Sequence, residues 1–194
     1  MPFCLRSERT TRMIATFLLG AGLAACVAEP QVDSEPPSFY ITLAAAKAEL
    51  DAKAAASMIS GYRRNHGLGP VSFDPELMRL AQAQARGMAA RNELGHNAAG
   101  SFPERIAKSK VRARAVVENV AAGYHTLADA FSGWRDSPGH RANMLNPEVT
   151  RMGIAAVYAP GSKYKVFWAL ILASPNEGPI GQQNPGVWPF MVLP

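Results

Sequence analysis

The chain has 194 residues, of which 48% are apolar and 18% charged, and its formal net charge is +5. This length is typical of one domain with attachments, and the composition supports a hydrophobic core and argues against extensive disorder. The excess of 20 Lys and Arg over 15 Asp and Glu is too small to indicate nucleic-acid binding, so no nucleic-acid partner is predicted.

The first 25 residues have the features of an export signal. Three arginines precede a short apolar run at residues 13–25, which is shorter than a membrane span but suits the core of a signal peptide. The run ends in Leu-Ala-Ala followed by Cys26, which resembles the lipobox of bacterial lipoproteins, where the cysteine is lipidated and becomes the new N-terminus. We therefore predict a signal peptide over residues 1–25 and lipidation of Cys26. An ordinary signal peptide with a chance cysteine is the alternative.

The two cysteines of the chain, Cys4 and Cys26, support this interpretation. Cys4 would leave with the signal peptide and Cys26 would carry acyl chains, so the exported domain would contain no disulfide. Several acyl chains would anchor the protein firmly to a membrane, which is thus a predicted partner. We predict a membrane-anchored lipoprotein of the bacterial cell envelope. Val27, rather than Asp, after the cysteine resembles the pattern for outer-membrane sorting if the host is Gram-negative.

Composition divides the rest of the chain into three parts. Residues 26–41 contain several prolines and acids and are predicted to form a tether. Residues 42–174 carry the patterned elements of one domain. Residues 175–194 are rich in Pro and Gly and are predicted to form a tail on the surface.

Five helices are predicted in the domain. The first is expected from residue 43, because apolar residues recur at four-residue spacing until two glycines end the pattern; these residues are Leu50, Ala54, Met58, Tyr62, Gly67 and Gly69. Asp74 and the following proline start a second helix that runs to about Asn92. Ser101 and Glu104 have capping-box spacing before a short third helix. Thr126 opens a fourth helix, and Ser137 is expected to end it and to cap a fifth.

Three strands are predicted, at residues 116–121, 153–159 and 164–173, with a turn at 160–163 between the last two. In the last strand Val166, Trp168, Leu170 and Leu172 would face one way while the intervening apolar residues would face the other. Because both faces are apolar, both must be covered. The sequence therefore predicts an α+β fold in which a sheet lies between two helical layers, a three-layer α-β-α sandwich.

Three polar residues lie at the edges of these apolar elements: His96, Glu118 and His140. His140 falls at about the third position of the helix that Ser137 would cap, where the helix dipole disfavours an imidazolium. A neutral imidazole is the form required of a metal ligand or a general base. Glu118 lies within an apolar strand, and a buried carboxylate must be paired or hydrogen-bonded. The three side chains could satisfy one another, with or without a metal.

Several segments resemble the bacterial members of the CAP superfamily, which also includes cysteine-rich secretory proteins, antigen 5 and plant pathogenesis-related proteins. The longest is Trp-Arg-Asp-Ser-Pro-Gly-His-Arg-Ala-Asn-Met-Leu, at residues 134–145. Glu-Asn-Val-Ala at 118–121 matches a second family segment, and Leu-Gly-His-Asn at 94–97 occupies the place of the first family histidine. The resemblance covers about residues 58–173 and implies the same α-β-α sandwich of the CAP type.

This resemblance also implies a cavity lined by two histidines and up to two acids, which binds zinc or another divalent cation in some members. The matching positions are His96, Glu118 and His140, and Ser137 stands where the family often has a second glutamate, which should weaken a metal site. Asn119 and Asn143 are expected to hold backbone around the cavity. The resemblance therefore implies one of two outcomes for cofactors. Either zinc or another divalent cation is held by His96, His140 and Glu118, or the protein has no cofactor.

Three functions agree with these residues. The first is a non-catalytic envelope module that binds a lipid or a cell-wall ligand in an apolar-rimmed cleft around His96 and His140. The second is a metal-dependent hydrolase in which Glu118 is a ligand or the catalytic base. The third is a scaffold whose cavity is vestigial. The balance of these arguments favours a protein that is not an enzyme.

Overall fold

The computed structural model describes residues 35–176. The predicted signal peptide, Cys26, most of the tether and nearly all of the tail lie outside these residues. A short 3-10 turn (Ser38–Tyr40) precedes the elements of the domain, which in chain order are α1 (Ala52–Arg64), β1 (Ser72–Phe73), α2 (Pro75–Arg91), α3 (Phe102–Ala107), β2 (Val116–Ala122), α4 (Leu127–Asp136), α5 (Pro138–Met144), β3 (Arg151–Tyr158) and β4 (Val166–Ala173).

The four strands form one mixed sheet in the order β1-β3-β4-β2. The strands β3 and β4 pair antiparallel as a hairpin, and β2 pairs antiparallel with β4 along its full length. The two-residue β1, which the sequence pattern did not predict, pairs parallel with the start of β3. This order leaves β2, the strand that carries Glu118 and Asn119, at one edge of the sheet.

Helices cover both faces of the sheet, which confirms the predicted sandwich. On one face Trp168 and Leu170 of β4 pack into a core with residues of α1, α4 and α5. On the other face Phe167 and Ile171 pack with residues of α2 and α3. All eight residues of β4 are buried, because this central strand has a helical layer on each side.

The helix caps were predicted with mixed success. The side chains of Asp74 and Thr126 accept the backbone N–H groups expected of N-cap residues. Ser101 and Ser137 hold the N-cap positions of α3 and α5, but neither side chain makes a capping hydrogen bond. The predicted helix starts after Ser101 and Ser137 are therefore confirmed, but the capping-box hydrogen bonds at Ser101 and a side-chain cap at Ser137 are absent. Each of these helices is short and has a proline in its first turn, which preorganises the backbone without a side-chain cap.

The predicted start of the first helix is also wrong. Asp51 caps α1 by accepting the N–H of Ala54, so the helix begins at Ala52 and Leu50 lies outside it. Leu43 is nevertheless buried in the core, and its N–H donates to the carbonyl of His125. Tertiary contacts, and not helical periodicity, account for the apolar residues before Asp51.

Candidate functional site

The two faces of β2 organise the candidate site. Successive side chains of a strand point to opposite faces of the sheet, so Glu118 faces the layer that contains α3, and Asn119 faces the layer that contains α5. Both side chains are almost completely buried. At the edge of the sheet, these two adjacent residues reach the segments that carry the two histidines.

Glu118 binds His96 directly. The Nδ1 atom of His96 lies 2.9 Å from Oε1 of Glu118. Because an ionised carboxylate accepts hydrogen bonds, Nδ1 donates in this contact, and Nε2 is the ring nitrogen that Glu118 does not engage. No hydrogen bond within residues 35–176 engages Nε2. The predicted partnership of His96 and Glu118 is thus present, and it fixes the orientation of the imidazole ring.

A third residue that the sequence analysis missed completes the pairing of Glu118. Nη2 of Arg105 donates to Oε1 and Oε2 of Glu118 at 2.9 and 2.8 Å, and also to the carbonyl of His96 at 3.0 Å. The side chains of this ion pair are 7% and 0% exposed, so they are shielded from water. A signal was present in α3, where Phe102, Arg105 and Ile106 have helical spacing and place the arginine on the buried face.

One nitrogen of Arg105 remains without a hydrogen bond. Nη1 is buried and has no partner in the part of the chain that the structure describes. The guanidinium carbon lies 5.1 Å from the centre of the Phe102 ring, so a cation–π contact compensates part of this loss.

The loop that carries His96 is held against α2. The buried side chain of Gln84 donates to the carbonyl of Gly95 at 2.6 Å and accepts the N–H of Ala99 at 3.2 Å. Gly87 allows close approach, since a Cβ there would lie 2.7 Å from the carbonyl oxygen of Ala98. Packing on α2 therefore fixes the position of His96.

The two asparagines hold His140 from the opposite face of β2. Asn119 donates to the backbone carbonyl of His140 at 3.0 Å. Asn143 donates to the side-chain oxygen of Asn119 at 2.9 Å and to the carbonyl of Glu118 at 3.3 Å. These contacts are the backbone-tethering contacts that were predicted for both residues. Arg63, buried beneath the end of α5, adds further support by donating to the carbonyl of Met144 at 2.8 Å.

His140 lies at the third position of α5, as predicted, and is half-buried. Burial lowers its pKa, and the nearby charge of His96 lowers that pKa further. The lowered pKa of His140 agrees with the neutral imidazole that the sequence predicts. Burial is a cause of this lowering that the helix-dipole argument did not include. The two histidines are thus close enough for their charges to interact.

A histidine whose pKa is lowered on folding makes stability depend on pH. The unfolded chain takes up this proton at about pH 6.5, whereas the folded protein takes it up only at lower pH, so stability falls as pH declines below that value. We expect His140→Gln to reduce the fall in unfolding free energy between about pH 7.5 and about pH 5.5, as measured by urea denaturation. The exposed His125 provides a matched control. An equal change in His125→Gln would contradict the prediction.

A small cavity of about 120 Å³ opens beside His96. Its lining differs from the apolar rim expected around the cleft, because it contains the charged side chains of Arg91 and Glu93 and the polar Asn97. Neither Glu118 nor His140 lines it. Ser137, at the family's second acidic position, is half-buried at the start of α5.

Direct metal ligation by three protein side chains finds no support in this geometry. Among residues 35–176, no group of three or more His, Cys, Asp or Glu side chains is placed to hold a metal ion. Both oxygens of Glu118 already accept from Arg105, and a guanidinium beside them opposes a cation electrostatically. Glu118 is instead placed to orient the ring of His96, as carboxylates commonly do behind metal-bound histidines.

The fold and the site define a CAP domain, and the chain belongs to the cysteine-rich secretory protein (CAP) family, whose model matches residues 56–172. The chain is 29% identical over 107 residues to the uncharacterized protein YkwD of Bacillus subtilis, a match that covers 54% of this chain and 42% of that protein. It is 30% identical over 94 residues to the uncharacterized membrane protein YlbC of the same organism, covering 47% of this chain and 27% of that protein. The chain therefore spans less than half the length of these relatives.

Solved structures agree on the fold. An extracellular protein with an SCP domain from Bacillus anthracis superposes with a TM-score of 0.55 at 24% identity, over 63% of this chain and 40% of that one. An outer surface protein of Borrelia burgdorferi superposes with a TM-score of 0.58 at 21% identity, over 64% of this chain and 92% of that protein. The helices of residues 35–176 include none with the length and hydrophobicity of a membrane-spanning segment.

Proposed function

We propose that this chain is an exported, lipid-anchored CAP-domain protein that binds a ligand at the His96–His140 pair without converting it chemically. One observation carries the proposal. The carboxylate of Glu118 is bound by Arg105 and His96, so of the three predicted site residues, Nε2 of His96 and the ring of His140 are left to meet a ligand.

The same observation weighs against a hydrolase that uses Glu118 as its base. A general base needs a free lone pair within reach of the proton it removes. The side chain of Glu118 is instead 0% exposed, and both its oxygens accept from a permanently charged guanidinium, so in this arrangement a substrate does not reach the carboxylate. Ser137 does not offer a substitute nucleophile, since within the described residues its hydroxyl makes no hydrogen bond to an activating base.

The proposed ligand includes a divalent cation such as zinc. Nε2 of His96 and the ring of His140 would hold it, Glu118 would orient His96, and the open positions would go to water or to groups of a larger ligand. A bound zinc ion would supply Lewis acidity there. The neutral state favoured for His140 is the state that a metal ligand must have.

Zinc titration of the protein by calorimetry tests this proposal. The chain has four histidines, so His66→Gln/His125→Gln, which changes the two exposed ones, is a matched control for His96→Gln/His140→Gln. We expect stoichiometric zinc binding that the control retains and the site variant loses, with both variants folded by circular dichroism. Equal loss in both variants, or no binding by the unaltered chain, would rule out a metal at this pair.

Lipid and cell-wall ligands are tested with the same pair of variants. Oleate and soluble peptidoglycan fragments serve as the probes, and the ring C–H signals of the histidines in nuclear magnetic resonance spectra report contact. A probe that shifts the His96 and His140 signals, and binds the site variant more weakly than the control, supports ligand binding. If neither these probes nor zinc perturbs the two rings, the vestigial scaffold becomes the better interpretation.

Lipidation of Cys26 is a separate prediction. We expect Cys26→Ser to abolish incorporation of labelled palmitate in a bacterial host and to move the protein from the membrane fraction to the soluble extract, because the acyl chains supply the anchoring energy. Retention of the variant in membranes would instead favour an uncleaved or otherwise bound N-terminal segment. An outer-membrane location in a Gram-negative host would appear in density-gradient fractions of the unaltered protein.

A further inference from the structure

The small cavity beside His96 lies at the C-terminal end of α2. Its volume is about 120 Å³, and it is formed by the last residue of α2 and the loop that follows. The residues that line it are Arg91, Glu93, Gly95, His96, Asn97 and Ala98. Of these six residues, Ala98 alone has an apolar side chain, so the cavity suits a polar group better than an acyl chain.

The cavity brings two opposite charges together without pairing them. Arg91 is the last residue of α2, and Glu93 follows the left-handed C-cap residue Asn92. Both charged side chains are exposed, and neither makes a hydrogen bond or an ion pair within residues 35–176. A cation and an anion that line one small cavity and do not bind each other can each bind the opposite charge of a ligand.

The backbone of the loop adds free donors beside Arg91. The carbonyl groups of Gly95, His96 and Asn97 all accept from protein donors, at 2.6, 3.0 and 3.1 Å respectively. The N–H groups of the same three residues have no acceptor within the part of the chain that the structure describes. Successive unpaired N–H groups favour an anion. The loop therefore offers a carboxylate the same kind of partner as Arg91 does.

The walls of the cavity are fixed before any ligand binds. Gln84 of α2 holds the loop at Gly95, as described above. The N–H of Glu93 donates to the carbonyl of Met88 at 3.1 Å, and the side-chain oxygen of Asn92 accepts the N–H of Lys163 at 2.9 Å. A site whose groups are already ordered loses less conformational entropy when it binds a ligand.

The geometry points to a subsite for a small zwitterion of the amino-acid type. The carboxylate would bind Arg91 and the free N–H groups of the loop, and the ammonium would bind Glu93. A simple anion fits less well, because Glu93 would repel it. The cavity has room for about four water molecules of about 30 Å³ each, which is the scale of one small amino-acid unit.

This inference rests on the proposed function, because the cavity shares His96 with the proposed ligand site, and it names the chemistry of that ligand. Of the two kinds of probe chosen above, peptidoglycan fragments carry carboxylate and ammonium groups on their peptides, whereas oleate has no ammonium. We therefore expect the peptide part of such a fragment, and not an acyl chain, to occupy the cavity.

Nuclear magnetic resonance titrations of the full-length chain test the subsite, with the backbone N–H signals of residues 95–97 as the readout. The probes are L-alanine, L-alaninamide, which lacks the carboxylate, and N-acetyl-L-alanine, which lacks the ammonium. We expect alanine to shift these signals and to bind about fivefold more tightly than either of the other probes, because each of those loses one charge-assisted contact.

Two variants assign the two charges. Arg91→Gln should weaken alanine binding about fivefold and abolish the preference over alaninamide, whereas Glu93→Gln should abolish the preference over N-acetylalanine. Arg86→Gln is the matched control, since it removes an exposed arginine of α2 that does not line the cavity. The control should change each affinity by less than about twofold.

Three results would overturn the inference. If alanine shifts none of the loop signals, the subsite does not exist. Equal binding of the three probes would mean that the cavity does not recognise the charges, and equal weakening by Arg91→Gln and Arg86→Gln would mean that only net charge matters. His96→Gln/His140→Gln retains Arg91 and Glu93 and should still bind alanine. Failure of the proposed function would thus appear at the histidine rings, and failure of this inference at the loop.

Discussion

Replacement of Arg105 by Met is expected to lower the free energy of unfolding by about 3 to 5 kcal/mol. The substitution nearly preserves volume but removes the cation that neutralises Glu118, and it leaves a buried carboxylate with His96 as its remaining partner. Urea denaturation followed by tryptophan fluorescence measures this loss. Because the carbonyl of His96 also loses a donor, the loop that carries the histidine should become more mobile, which hydrogen exchange would detect.

Two further variants test the cause of this loss. Arg105→Met/Glu118→Gln removes both charges and should recover part of the stability, since an unpaired buried charge costs more than a neutral amide. Arg86→Met changes an exposed arginine of α2 and should cost less than about 0.5 kcal/mol. If the double variant is no more stable than Arg105→Met, lost packing rather than the unpaired charge destabilises the protein.

Replacement of Gly153 by Ala is the second change with a large expected effect. A Cβ at this position of β3 would lie 2.1 Å from the carbonyl carbon of Leu77 in α2, so the contact is with backbone that no side-chain rotation can move. The helix would have to move away from the sheet. We expect a loss of at least about 2 to 3 kcal/mol, which corresponds to a fall in Tm of roughly 4 to 12 °C for a domain of this size.

Gly161→Ala is the matched control for this change. Gly161 lies in the turn between β3 and β4, and a Cβ there would have nothing within 4 Å. Its Tm should remain within about 2 °C of that of the unaltered chain, because surface changes of this kind usually cost less than 0.5 kcal/mol. An equal fall in Tm for both variants would show that the close approach of α2 to β3 does not limit the stability of the domain.

Local signals in the sequence were sufficient for most of the secondary structure. Asp74 and Thr126 mark helix starts because an N-cap bonds to residues two or three positions ahead. The apolar faces of β4 predicted two covering layers because strand alternation is a property of the strand itself. A local pattern misled at Leu50, which lies before the helix, whereas the helix boundary at Ser137 was predicted correctly although its hydroxyl makes no capping bond.

The candidate site was predictable in its residue types but not in its connections. Motif resemblance identified His96, Glu118 and His140, and the requirement for a partner to a buried carboxylate was correct. The main partner proved to be Arg105, which lies 13 residues before Glu118 and in a different element. That pairing depends on how α3 packs against β2, which no spacing in the sequence reveals.

The basic segment between α3 and β2 illustrates the same division. The sequence by itself shows that Lys108, Lys110, Arg112 and Arg114 cluster, and it predicted most of the helices and strands. Only the tertiary structure decided that the backbone of this segment is fixed, because its hydrogen bonds are to Glu76, Arg151 and Ser174, which are at least 34 positions away. Caps and periodicity act within a few residues and can be predicted, whereas contacts between distant segments exist only once the layers have packed.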